Sequence, residues 1–121
     1  MASKLRFSFT EVDPQLGALS MLPYLPLVLT YQNRSLNVSG LLDTGSTVNV
    51  LPYEVGLELG AVWENQTISV PLGGNLARFE ARALLVPASI AHFPFTELAF
   101  AWTKDRYAPL ILGHMNFFLA L

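Results

Sequence analysis

Residues 26–43, PLVLTYQNRSLNVSGLLD, constrain the fold more than any other stretch of the chain. Two apolar-rich runs of strand length flank Gln32-Asn33-Arg34, residues that favour a turn, so the segment reads as a hairpin whose second strand ends at Asp43. The same pattern recurs along the sequence. KLRFSFTEV alternates Leu5, Phe7 and Phe9 with Lys4, Arg6 and Ser8, the period of a half-buried strand. TVNVLP continues as extended chain after Asp43, and Pro52 can open a short helix, PYEVGLELG, with Glu54 in its first turn and Gly60 at its end. TISVPLGGNLARFEARALLVP reads as two strands flanking Gly73-Gly74, a second hairpin. TELAFAW is a further strand, and APLILGHMNFFLAL offers a short apolar strand, a glycine, and a final helical turn or strand. No linker or low-complexity segment divides the chain. The expectation is one all-β domain spanning residues 1–121, with one or two short helices.

Composition narrows the function classes. Of the 121 residues, 52% are hydrophobic and only 13% charged, more apolar surface than a monomer of this size readily hides, so a subunit interface is expected. The net charge of −2, with seven scattered Lys and Arg, argues against a nucleic-acid partner. The most apolar run, MLPYLPLVLTY, is interrupted by Pro23 and Pro26 and falls short of a membrane span. MASKLRF has no apolar core of the kind a secretory leader needs. Asn33, Asn37 and Asn65 begin glycosylation sequons, which without a leader are read as chance. The absence of cysteine removes disulfides, thiolate metal sites and a cysteine nucleophile, and fits a cytoplasmic location. His92 and His114 do not make a metal site, and no cofactor is expected.

Chemistry concentrates in LLDTGSTVNVLP, residues 41–52. An apolar strand that ends in Asp43-Thr44-Gly45-Ser46 presents a carboxylate on a tight turn, where glycine admits close backbone approach and neighbouring N–H and hydroxyl groups can orient the acid. Asp before Gly often does no more than cap its own turn. Here the acid is bracketed by Leu41, Leu42, Val48, Val50 and Leu51, and a carboxylate in such surroundings is usually paired or functional.

These residues resemble the retropepsin-like aspartic proteases, the single-domain relatives of pepsin. LLDTGSTVNVLP is similar to the family's apolar-apolar-Asp-Thr-Gly-Ser/Ala loop, SVPLGGNLARF falls where its flap hairpin stands, and LILGHMNFF resembles its apolar-apolar-Gly motif and following short helix. Retroviral, retrotransposon and cellular members all share these features, and the Leu-Pro and short-helix pattern after the loop looks more like the cellular bacterial type. The resemblance covers most of the chain in order and implies a β-barrel and an aspartic endopeptidase. That chemistry needs two carboxyl groups, one ionised to take a proton from water and one protonated to polarise the scissile carbonyl. This chain has a single Asp-Thr-Gly, so the resemblance implies a homodimer in which two copies of Asp43 face each other and act on a peptide or protein substrate.

Carried over by position, Asp43 is the catalytic acid/base, Thr44 bonds between subunits, and Gly45 offers its carbonyl to substrate. A Ser46 hydroxyl donating to the carboxylate would favour its charged form, from which an acidic optimum is expected. Leu72, Gly73, Gly74 and Leu76, with Phe79, would form a flap with an apolar underside, suited to apolar or aromatic side chains around the cut bond. Leu110, Ile111, Leu112 and Gly113 would form the strand that crosses behind the loop. The sequence departs from the retroviral pattern at His114 and Thr47, where an Arg and an acid usually pair; His114 could instead bond Thr47. The apolar stretches KLRFSF and NFFLAL could interleave in the dimer. The alternative is a catalytically silent retropepsin-like binding or scaffold module, though a scaffold has no need of an intact Asp-Thr-Gly-Ser.

Overall fold

The computed structural model describes residues 10–11, 21–22, 24–90 and 94–113. Two short strands, β1 (Thr10–Glu11) and β2 (Met21–Leu22), pair antiparallel. The next two, β3 (Tyr24–Tyr31) and β4 (Arg34–Asp43), form the expected hairpin, in register from Tyr24 opposite Leu41 to Tyr31 opposite Arg34. Its turn is Gln32-Asn33, with Gln32 in the left-handed region at φ 53° and Arg34 already in the strand. The chain continues through β5 (Asn49–Leu51), helix α1 (Tyr53–Glu58), β6 (Ala81–Ser89), β7 (Thr96–Thr103) and β8 (Ile111–Gly113).

Six of these strands close a barrel in the order β3-β4-β8-β5-β7-β6. The decisive feature is where β8 lies. Strands β4 and β5 are consecutive in the chain but do not pair; β8 inserts between them, parallel to β4 and antiparallel to β5. The segment from Asp43 to Asn49 must therefore pass over the end of β8.

Period-two alternation sets the two faces. Leu25, Leu27 and Leu29 of β3 point inward with Leu84, Val86 and Ala88 of β6 and Leu98, Phe100 and Trp102 of β7. Leu110 and Leu112 join that core, whereas Ile111 faces the other way and packs with Val50 and Ala108 in a second, smaller cluster. One end of the barrel is closed by aromatic rings. Trp102 stacks on Tyr53 at 5.8 Å and meets Trp63 edge-on at 5.2 Å, while its indole N–H donates to the Tyr53 carbonyl at 3.0 Å.

Helix α1 follows Pro52 as expected, with Glu54 in its first turn. Gly60 follows its last turn with φ 87°, a left-handed conformation that lets the Ala61 N–H reach back to Gly56 O, while the Gly60 N–H donates to Leu57 O. Arg34 donates from across the fold to the Glu58 carbonyl at 3.2 Å, so a cation sits at the negative end of the helix.

The second hairpin expected at Gly73-Gly74 does not form. Residues Ile68–Val70 meet β6 only through the Ser69–Arg82 bridge and two backbone bonds, Val70 N to Ala81 O and Ala83 N to Ile68 O. Beyond them Gly74–Arg78 is a 3-10 helix entered through Gly74 at φ 59°. Leu72 and Leu76 both pack on the Val50, Ile111 and Ala108 cluster, so this segment is held by apolar contact with the barrel and not by a strand ladder. The helical or strand ending expected after Gly113, and the strand around Leu5, Phe7 and Phe9, lie outside the described residues.

Trp102→Ala is expected to cost about 3–5 kcal/mol, the range for deleting a large buried aromatic, out of the roughly 5–15 kcal/mol that holds a domain of this kind together. Urea unfolding followed by far-ultraviolet circular dichroism measures it.

Candidate functional site

Asp43 is the last residue of β4 and pairs with Gly113 of β8. Beyond it the backbone turns sharply: the Ser46 N–H donates to Asp43 O at 3.1 Å, and the Gly45 N–H donates to the carboxylate Oδ1 at 2.9 Å. Among the described residues the Asp43 carboxylate has no other hydrogen-bond partner and no cation paired with it. It is half-buried, whereas Thr44 and Gly45 at the tip are exposed.

The turn is held from below. The loop lies directly on Gly113: a Cβ there would run into the Val48 carbonyl and stand 3.0 Å from Ser46 O. Only glycine permits that approach. Beside it Asn49, wholly buried, accepts the Gly113 N–H on Oδ1 at 2.8 Å and donates from Nδ2 to Ala99 O at 3.1 Å. One side chain thus bonds β5 to both of its neighbours, β8 and β7, at the point where the loop re-enters the barrel.

The Ser46 hydroxyl corrects one expectation. It donates its single proton to Val48 O at 2.8 Å, not to Asp43, so it braces the loop and does not support the charged carboxylate.

Asp43 lines a cavity of about 330 Å³. Its lining joins three parts of the chain: residues of the loop from Gly45 to Val48, Val50 and Ile111 of β5 and β8, and Pro71, Leu72, Gly73 and Leu76 of the covering segment. Among the described residues, Asp43 is the only ionisable group that lines it. Three of the residues expected in a flap, Leu72, Gly73 and Leu76, therefore face the carboxylate, although on an irregular segment and a 3-10 helix. Gly74 does not line the cavity, and Phe79 is exposed instead of forming its underside. Of the residues expected in the crossing strand, Ile111, Leu112 and Gly113 form β8, and Leu110 precedes it with its carbonyl accepting the Leu41 N–H at 2.8 Å. His92 and His114, and so the pairing of His114 with Thr47, lie outside the described residues. No group of His, Cys, Asp or Glu among the described residues could hold a metal ion. No helix among them is long and apolar enough to cross a membrane.

Sequence reasoning missed Asn49. The available signal was an amide between Val48 and Val50 in a run destined for burial, where it must find partners. A comparison with protein-family models and with curated proteins returns no match.

Gly113→Ala is expected to push the loop off β8, destabilising the fold by about 1–3 kcal/mol, the usual range for overpacking, with the largest amide shift changes at residues 43–48 in NMR spectra. Asn49→Ala leaves the buried Gly113 N–H without its acceptor and is expected to cost about 1–3 kcal/mol for that donor alone, measured by chemical denaturation.

Proposed function

We propose that the chain is one half of an aspartic endopeptidase, a retropepsin-like enzyme that works as a homodimer with Asp43 supplied by each copy. The observation that carries this reading is the setting of the carboxylate: half-buried, oriented by one backbone N–H, without a neutralising cation, and aimed at a cavity whose other walls carry no charge. A carboxylate that served only to cap its turn would not need a cavity or the crossing beneath it. The exposed Thr44 and Gly45 leave the loop tip open to a second loop.

In the paired state two Asp43 carboxyls share a proton, because like charges about 3 Å apart cannot both ionise. The ionised member takes a proton from the attacking water; the protonated one polarises the scissile carbonyl. The proton then passes to the leaving amine as the tetrahedral intermediate collapses. The apolar faces of Val50, Ile111, Leu72 and Leu76 suit an uncharged side chain beside the cut bond.

Peptide cleavage should be lost on Asp43→Asn and blocked by a statine-type transition-state mimic. Adding excess Asp43→Asn protein to the wild type should lower activity per wild-type chain, since mixed dimers hold one competent carboxyl. The pH–rate profile should be bell-shaped, because the shared proton must be present and single. Cleavage that survives Asp43→Asn would sink the reading; a protein that binds peptides without turnover and stays monomeric at every pH would establish the scaffold in its place.

A further inference from the structure

The segment that faces Asp43 across the cavity, residues 67–79, grips the barrel in two different ways. Its middle rests on apolar contacts: Leu72 and Leu76 against Val50, Ile111 and Ala108. Its two roots are polar, and both converge on one side chain. From β6, Arg82 donates through Nη1 to Gln66 O at 3.2 Å and to Trp63 O at 3.0 Å on the entering root. Through Nε it holds Glu80 Oε2 at 3.0 Å on the leaving root. The backbone of Arg82 is also the bridge partner of Ser69 within the segment.

The guanidinium is fixed in place from its flat side. Its carbon lies 4.6 Å from the centre of the Trp63 ring, and the Lys104 ammonium is 4.9 Å from the same ring. The Lys104 N–H donates to Glu80 O at 2.9 Å, which ties the leaving root to the end of β7. A planar fork with several donors suits this geometry; an ammonium, a point charge on a flexible stem, could not serve both roots and stack as well.

We propose that Arg82 is the clamp of segment 67–79, a positioning residue that holds both roots so that Leu72 and Leu76 stay seated beside Asp43. The contacts of the middle are apolar and non-directional, so they do not fix where the segment sits along the barrel. The contacts of the roots are directional and multiple, and they gather on one guanidinium. The kinetic consequence rests on the reading of the cavity as a substrate site; the structural consequence does not.

Hydrogen exchange and steady-state kinetics on the wild type, Arg82→Met, Arg82→Lys and Glu80→Gln test the clamp together. In Arg82→Met the amides of Val70 and Ala83, which bond the segment to β6, should exchange about tenfold faster, the equivalent of one lost hydrogen bond. The amides of Leu41 and Gly113 in the barrel should keep wild-type rates. KM for an extended peptide should rise about tenfold while kcat changes by less than about threefold, the split expected when positioning and not chemistry is lost. Arg82→Lys should follow Arg82→Met, and Glu80→Gln should have a smaller effect because an exposed ion pair contributes little. Unchanged exchange at Val70 and Ala83, equal acceleration at Leu41 and Gly113, or wild-type behaviour of Arg82→Lys would each overturn the clamp. If the wild type cleaves no peptide, the endopeptidase reading fails and the exchange rates still decide for or against the clamp.

Discussion

The crossing of the Asp43–Asn49 loop over Gly113 is the constraint on which the site depends. A carboxylate at the end of an edge strand would wave in solvent. Here β8 fills the space between β4 and β5, and the loop must arch across it in contact with its backbone. Gly113 makes the contact sterically possible. Asn49 makes it electrostatically possible, because the N–H that the arch would cut off from solvent finds its acceptor in a buried side chain. Ser46 fixes the arch from within through Val48 O. The carboxylate inherits its direction from this arrangement and needs only the Gly45 N–H to complete it.

Burial is arranged in two tiers around that crossing. The barrel interior takes the even-numbered residues of β6 and β7 and closes at one end with Tyr53, Trp63 and Trp102. The outer face of β5 and β8 would expose Val50 and Ile111, and the covering segment shields them with Leu72 and Leu76. Asp43 lines the same cavity as Val50, Ile111, Leu72 and Leu76, which is why a half-buried acid and apolar side chains meet there.

The strands were legible because their signal is local. Alternation and turn residues delineate the β3–β4 hairpin, and Pro52, Glu54 and Gly60 bound the helix. The importance of Gly113 could be read from its motif, but not the reason for it, since the Val48 carbonyl that forbids a side chain comes from a distant part of the chain. The covering segment departs from the expected hairpin because Gly73-Gly74 is a strong local turn signal, whereas the apolar cluster that Leu72 and Leu76 pack on is built from distant residues. The Ser46 hydroxyl bonds a backbone carbonyl two residues on, an acceptor that no side-chain pattern in the sequence announces. Arg82 was invisible for a related reason: three of its contacts are backbone carbonyls and a ring face, which leave no charge pattern to find.

The insertion of β8 also orders events in time. Asp43 and its loop emerge from the ribosome long before residues 111–113, and until those arrive the arch has nothing to rest on and Asn49 nothing to accept. Pairing of such distant segments carries a large loop-closure entropy and forms late in folding. A nascent or half-folded chain thus carries Asp43 without the arch that orients it, and the geometry of the site is tied to completion of the barrel.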